Sequence, residues 1–181
     1  MIEIVAYDAS WPQTFQRLRD RIWPVVSDLV VSIEHVGSTA VPGLTAKPII
    51  DMVVVAATRA AVPVVIERLA SLGYVHRGNL GIADRDAFAQ PPHLPRHHLY
   101  VCPVGVTALR NFICIRDHLR VDANAAARYA DLKKDLAKRH TDDAGGYTCG
   151  KTTLLLAILK DAGLTAEELQ LVAEANRARN E

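Results

Sequence analysis

Short runs of apolar and β-branched residues predict strands in the first half of the chain. The longest run is 49–55, in which every residue except Asp51 and Met52 is β-branched. Four shorter strands are expected at residues 2–5, 32–36, 74–77 and 97–102. The segment 37–48 is rich in glycine, proline and hydroxyl residues, which indicates a tight loop between two of these strands.

Helical spacing of apolar residues predicts the first helix. Phe15, Leu18 and Ile22 recur at intervals of three and four residues, so they share one helix face. Ser10, followed by Gln13 three residues later, has the pattern of a capping box and predicts where this helix begins.

Further helices are expected after the third and fifth predicted strands. The segment 58–72 has a helical pattern, and Gly73 follows it at the position where glycine commonly ends a helix. From about residue 108 onward the spacing is helical, and Thr165 with Glu168 forms a second capping box before the last helix. The pattern therefore predicts a mixed first half and a helical second half.

Composition and charge narrow the class of protein. The chain has 181 residues, of which 50% are hydrophobic and 23% are charged. These values exclude a disordered, collagen-like or coiled-coil protein and fit one domain, with a core of about 1–105 and a helical part of about 106–181. The net charge is +1, so we expect no specific nucleic-acid partner held by phosphate contacts alone.

The cysteines and the apolar segments predict the compartment. Cys102, Cys114 and Cys149 form no CxxC pair or Cys/His cluster, which is typical of free thiols in a reducing compartment. No apolar segment reaches the length of about 18 residues that a membrane span needs, and the N-terminal residues do not resemble a signal peptide. A cytoplasmic protein with no membrane partner is expected.

The stretch from Gly37 to Asp51 carries the candidate chemistry. Gly37 allows a tight turn, and Ser38 and Thr39 offer hydroxyl and N–H groups that suit a phosphate. Asp51 lies in an otherwise apolar strand and needs a polar partner, either a metal ion or Lys47. A structural turn with a salt-bridged Asp51 explains the same residues, and the spacing alone favours neither interpretation.

A second motif matches a phosphate-binding loop in its letters. Residues 145–152 read GGYTCGKT, which fits the pattern GxxxxGK[ST]. A working loop of this kind follows a buried strand, whereas the segment 129–140 before it is charged and helical. We therefore expect no P-loop here, although Lys151 can still reach an anion as a point charge.

Basic residues in the helical half form another candidate group. Arg116 and Arg120 lie four residues apart and share a helix face. Together with Lys133 and Lys151 they are predicted to neutralise a phosphorylated ligand. The alternative is an ion network of Arg116, Asp117 and Lys133 that only orients the helical half on the sheet. The sequence does not separate these alternatives.

The stretch EHVGSTAVPGL at 34–44, followed by KPIID at 47–51, resembles the signature of the GrpB family. The similarity extends to YD at 7–8, WP at 11–12, HHLYV at 97–101, IRDHLR at 115–120, Tyr129, LK at 132–133, Tyr147 and GK at 150–151. These positions extend over most of the chain, from about residue 5 to about 160.

The resemblance implies an α+β fold of the nucleotidyltransferase type, a mixed β-sheet with flanking helices and a helical C-terminal half. Some GrpB proteins are fused to dephospho-CoA kinase, and the family has no established reaction. The superfamily pattern is Gly-Ser followed by two acids on one strand. Here twelve residues, 39–50, separate Ser38 from Asp51, which fits, but Val53 occupies the position of the second acid.

This departure affects the expected metal centre. Nucleotidyl transfer normally uses two metal ions about 4 Å apart that share carboxylates, and Asp51 alone cannot hold both. Replacement ligands are sought among Glu34, Asp84, Asp86, Asp117 and His98. His98 and Tyr100 share one face of the 97–102 strand and His97 lies on the other, so only one histidine of the pair can face the site.

The leading functional hypothesis is transfer of a nucleotidyl group to a small molecule or protein. In it Asp51 holds Mg²⁺ and acts with His98 as the catalytic pair. Ligand-binding roles are assigned to Gly37, Ser38, Thr39, Lys47, Arg116, Lys133, Tyr147 and Lys151. The alternatives are a module that binds a nucleotide or another phosphorylated small molecule without turnover, because Val53 removes the second acid, and an accessory protein whose partner-binding surface matters.

Overall fold

The computed structural model describes residues 2–177; residues 178–181, the end of the predicted helical half, lie outside the described part. The strands are β1 (Val30–Val36), β2 (Ile50–Ala56), β3 (Val75–His76), β4 (Asp86–Ala89) and β5 (His97–Pro103). The helices are α1 (Trp11–Val26), α2 (Val62–Ser71), α3 (Thr107–Val121), α4 (Ala123–Arg139), α5 (Ala144–Cys149), α6 (Thr152–Asp161) and α7 (Ala166–Arg177).

The five strands form one mixed sheet in the order β1-β2-β5-β4-β3. β2 pairs antiparallel with β1 and parallel with β5, while β4 pairs antiparallel with both β5 and β3. The interior strand β2 is almost fully buried, which explains its continuous apolar run. The predicted mixed sheet and helical second half are confirmed.

Alternation along the strands divides the side chains between two layers. Met52, Val54 and Leu99 face the helices α1 and α2 and form the larger core. Val53 and Val55 point to the opposite face, where they pack against α3 together with Val36 and Cys102. Asp51 lies in β2 with the same parity as Val53, so its side chain belongs to the face that α3 covers.

The helical half packs on the loop between β1 and β2. Val41 and Leu44 of this loop are buried against Leu119, Tyr129 and Ile158 from α3, α4 and α6. This contact brings the helices over the end of the sheet at which Asp51 lies. No helix in the described range 2–177 combines the length and apolar character needed to cross a bilayer.

Local predictions were confirmed in part. Thr165 and Glu168 do form a capping box: the Thr165 N–H donates to the Glu168 carboxylate at 2.9 Å, and the Glu168 N–H donates to the Thr165 hydroxyl at 3.2 Å. Gly73 has φ +88°, as expected after α2. The capping box at Ser10 was wrong, because Ser10 is itself in a helical conformation and its side chain makes no cap bond.

Three element predictions need correction. The expected strand 2–5 is reduced to an isolated bridge between Val5 and Ala46. The helix expected over 58–72 begins as a 3-10 turn at Arg59–Ala61 and becomes α-helical at Val62. The strand β4 was not predicted, since its four residues include the charged Asp86 and only two of its side chains are buried.

Candidate functional site

Gly37 and Asp51 are in close contact where β1 ends and β2 begins. Gly37 has φ +69°, and a Cβ atom built on it would lie 2.3 Å from Asp51 Oδ2. Any side chain at this position would therefore collide with the carboxylate and would also require a left-handed backbone. The glycine therefore lets the turn at Ser38–Ala40 fold directly against the Asp51 carboxylate.

His98 lies beside Asp51 on the neighbouring strand. The two residues are register partners in the parallel pair of β2 and β5, and His98 Nδ1 is 2.8 Å from Asp51 Oδ1. The His98 side chain is 51% exposed, against 27% for Asp51. His97 points to the opposite face, where its Nε2 is 2.8 Å from the buried Tyr74 hydroxyl. The prediction that only one histidine of the pair faces the site is confirmed.

These residues line a cavity of about 220 Å³ between the sheet end and the helical half. We call it the lysine pocket. Its lining comprises Ser38, Thr39, Ala46, Lys47, Ile49, Asp51, His98, Tyr100, Tyr129, Lys133, Tyr147, Thr148 and Lys151. Seven of the predicted ligand-binding or catalytic residues, in addition to Asp51, therefore meet around one space.

Three ammonium groups converge in the lysine pocket. Lys47 Nζ lies 4.1 Å and Lys151 Nζ 4.6 Å from the centre of the Tyr147 ring. Lys133 Nζ lies 4.7 Å from the centre of the Tyr129 ring and donates to the carbonyl oxygen of Thr45. Aromatic faces stabilise cations at such distances, so the rings offset part of the repulsion between these like charges.

Burial and repulsion from neighbouring cations leave Lys133 and Lys47 poorly stabilised in their charged forms. Burial, with repulsion from Lys151 and Lys134, lowers the pKa of Lys133 from 10.5 to about 7. Burial and the nearby Arg96 also lower the pKa of Lys47, against the attraction of Asp51. A bound anion would offset both effects, so the electrostatics of the pocket favour a negatively charged ligand.

Thr39 connects the turn after β1 to His35 and to the segment before β2. Its side chain is buried, its hydroxyl lies 3.0 Å from His35 Nε2, and it donates to the carbonyl oxygen of Ile49 at 3.3 Å. His35 in turn stacks on Phe15 of α1 with 4.8 Å between ring centres. Burial lowers the pKa of His35 to about 4, so this histidine is neutral and ties the turn to α1.

Arg116 does not reach the lysine pocket. Its guanidinium donates to Glu34 at 2.7 Å, to the carbonyl oxygen of His35 at 3.2 Å and to Asp117 at 2.7 Å. Arg120 likewise donates to the carbonyl oxygen of Ala40 at 3.0 Å. Both arginines secure α3 to the end of β1 and the following turn. This agrees with the alternative in which the ion network only orients the helical half. Lys133 is not part of that network, because it donates to the Thr45 carbonyl oxygen.

The acids considered as replacement ligands have partners elsewhere. Asp84 pairs with Arg59, and Asp86 lies 2.7 Å from His76, while Glu34 and Asp117 both bind Arg116. Within residues 2–177 no three His, Cys, Asp or Glu side chains form a group suited to a metal ion. Val53 is fully buried against α3. These donors do not fit a pair of metal ions.

One metal ion is compatible with Asp51. Mg²⁺ is commonly bound through one or two carboxylates together with substrate phosphates. Asp51 is partly exposed in the pocket wall and is the residue that would share such an ion with a phosphorylated ligand.

The segment 145–152 is not a phosphate loop. It follows helix α4, and most of it forms α5 and the start of α6. The Gly146 N–H donates to the Asp143 carboxylate at 2.8 Å, which is a helix cap. Tyr147 and Lys151 nevertheless line the lysine pocket, so the segment contributes side chains rather than a cradle of N–H groups.

Five lining residues were not assigned to the site from the sequence: the apolar Ala46 and Ile49, and the polar Tyr100, Tyr129 and Thr148. Tyr100 follows His98 at the strand spacing of two, and Tyr129 precedes Lys133 at the helical spacing of four, so both periodicities would have found them. Thr148 lies next to Tyr147 on the short helix α5. The assignment of Tyr147 to the site was the available sequence signal for Thr148.

Comparisons with known proteins agree with the site's sequence signature. The family model described as GrpB protein matches residues 1–161. The chain is 35% identical over 150 residues to UPF0157 protein YqkA of Bacillus subtilis, covering 83% of this chain and 44% of that protein. It is 36% identical over 163 residues to a UPF0157 protein of Streptomyces coelicolor, covering 87% and 82%. A dephospho-CoA kinase of Mycolicibacterium paratuberculosis is 33% identical over 177 residues, with 83% and 43% covered.

Solved structures give the same assignment of fold. The conserved protein GrpB from Enterococcus faecalis superposes with a TM-score of 0.79 at 28% identity, covering 88% of this chain and 96% of that one. Cid1 in complex with its short product ApU matches with a TM-score of 0.54 at 13% identity, covering 82% and 49%. The second likeness shows a nucleotidyltransferase-like fold alone. With the family model matching most of its length, the chain belongs to the GrpB family.

Proposed function

We propose that this protein binds the phosphate groups of a nucleotide or another phosphorylated small molecule in the lysine pocket. The observation that carries the proposal is the convergence of Lys47, Lys133 and Lys151 around two tyrosine rings. The pocket lining contains one carboxylate, Asp51, and that group is hydrogen-bonded to His98. The remaining positive charge suits a polyanion such as a triphosphate.

The turn after β1 completes the proposed site. Gly37 lets the backbone approach Asp51 closely, and the Ser38 side chain lines the same cavity as the lysines. Mg²⁺ bound with the ligand would be shared between Asp51 and phosphate oxygens and would neutralise part of their charge. The lysines hold phosphate without it, so binding is expected in the absence of divalent metal.

Isothermal titration with ATP tests the proposal. Lys151→Met removes one charged hydrogen-bond donor, and such bonds contribute about 1.5–3 kcal/mol, or roughly a 10–100-fold loss of affinity. Lys160→Met is the matched control, because Lys160 is exposed near the end of α6 and does not line the lysine pocket. Equal ATP affinity in the two variants and the wild type would contradict the proposal.

Nucleotidyl transfer is the second candidate. It is favoured by the Gly37-Ser38 turn folded against Asp51, in a fold shared with Cid1. Its test is pyrophosphate release from ATP in the presence of Mg²⁺, which Asp51→Asn should abolish while leaving ATP binding in EDTA intact. Binding without any pyrophosphate release over a broad panel of acceptors supports a non-catalytic module instead.

A further inference from the structure

A second cavity of about 200 Å³ adjoins the lysine pocket. The two share Ser38, Asp51, Tyr129, Thr148 and Lys151, so a ligand whose phosphates contact Lys151 can extend directly into the second space. We call this space the side cavity.

Beyond the residues shared with the lysine pocket, the walls of the side cavity are mainly apolar. Side chains of Phe112 and Ile115 from α3, Leu155 from α6 and Val172 from α7 line it. Phe112 is fixed by stacking on Tyr100, with 5.2 Å between the ring centres. A flat aromatic ring fits such walls better than a sugar or a peptide backbone, since it brings little polar surface that needs a partner.

One polar atom in the wall lacks a partner. The Asn111 side-chain oxygen is buried and accepts no hydrogen bond within the protein. Asn111 lines the side cavity and also a separate cavity of about 310 Å³ beside residues 81–84. A buried acceptor without a donor is unfavourable. A ligand that brings an N–H donor to this oxygen would remove the penalty, and a ligand that brings a carbonyl group would increase it.

We infer that the side cavity holds the base of a nucleotide, and that Asn111 selects bases with an exocyclic amino group. The inference rests on the proposed function, because it takes the phosphates to occupy the lysine pocket, which the side cavity adjoins. Adenine and cytosine carry an amino group where hypoxanthine and uracil carry a carbonyl. The amino group donates to Asn111 Oδ1, whereas the carbonyl oxygen would face it with two lone pairs.

Isothermal titration with ATP, ITP and tripolyphosphate tests the inference on the unmodified protein first. ATP should bind about tenfold more tightly than ITP, because a site with an acceptor for the amino group rejects the analogue without it. CTP should be preferred to UTP in the same way. Tripolyphosphate has no base and reports the lysine pocket alone.

Asn111→Leu removes the acceptor. It should bind ATP and ITP with equal affinity, with tripolyphosphate affinity unchanged. Asn124→Leu is the matched control, since Asn124 is exposed at the start of α4 and lines neither cavity. It should keep the preference for ATP.

The outcomes separate the two claims. Tight tripolyphosphate binding with equal affinity for ATP and ITP in the wild type would overturn the base inference and leave the proposed function standing. Absence of both ATP and tripolyphosphate binding would overturn the proposed function and the inference with it.

Discussion

Replacing Lys133 with methionine is expected to stabilise the protein at acidic and neutral pH. Lys133 is 2% exposed, and burial with repulsion from Lys151 and Lys134 lowers its pKa from 10.5 to about 7. Below pH 7 the folded state therefore holds an ammonium group that the unfolded state accommodates better. At about 1.36 kcal/mol for each pKa unit, the penalty is about 5 kcal/mol.

Part of this penalty is offset by contacts that methionine cannot make. Lys133 donates to the carbonyl oxygen of Thr45, and leaving a buried acceptor without a donor costs about 1–3 kcal/mol. The net gain of Lys133→Met is thus about 2–4 kcal/mol at pH 6. For a chain of this size each kcal/mol corresponds to about 2–4 °C in Tm.

The pH dependence distinguishes this cause from better packing. Between pH 7 and 10.5 the unfolded state binds more protons than the folded state, so wild-type stability rises with pH through this residue. The advantage of Lys133→Met should fall by about 3 kcal/mol between pH 6 and pH 9. Urea unfolding of both proteins at the two pH values measures it, because groups that do not interact with Lys133 titrate alike in both proteins. A stability difference that does not change with pH would refute the reasoning.

Three further outcomes are expected. Gly37→Ala should lower Tm more than Gly43→Ala, because both positions have positive φ but only the first places a Cβ against a neighbouring side chain; equal losses would contradict this. Thr165→Ala should cost about 1 kcal/mol of unfolding free energy, and Ser10→Ala close to nothing, since only the first side chain caps a helix. ATP affinity measured against pH should fall above about pH 7, as the Lys133 ammonium loses its proton, and a flat profile would be inconsistent with its role.

The sequence was informative about the fold where local chemistry is strong. β-Branched runs locate β2 because an interior strand is buried on both faces, and the pair Thr165 and Glu168 locates the start of α7. Prediction failed where a long-range contact decides the structure. Residues 2–5 have the pattern of a strand, yet only Val5 finds a partner, Ala46.

In the candidate site, too, residues placed by local strand structure were predicted, whereas the position of Arg116 depends on a long-range contact. Asp51 was predicted as a carboxylate in an apolar strand that fits the family pattern, and His98 from strand alternation together with the GrpB resemblance. The two residues are register partners. Arg116 was assigned to the ligand, but Glu34 and Asp117 hold it away from the pocket. That outcome depends on how α3 packs against β1. The spacing of basic residues along a helix does not show which of them pairs with an acid on another strand or helix, as Arg116 does with Glu34.

A structure of the protein with a non-hydrolysable ATP analogue tests the central claim most directly. The account predicts phosphate density in the lysine pocket within hydrogen-bond reach of Lys47, Lys133 and Lys151. It also predicts that the adenine ring lies beside Asn111. Phosphate density bound at another surface while the lysine pocket stays empty would contradict the claim that these three lysines form a phosphate site.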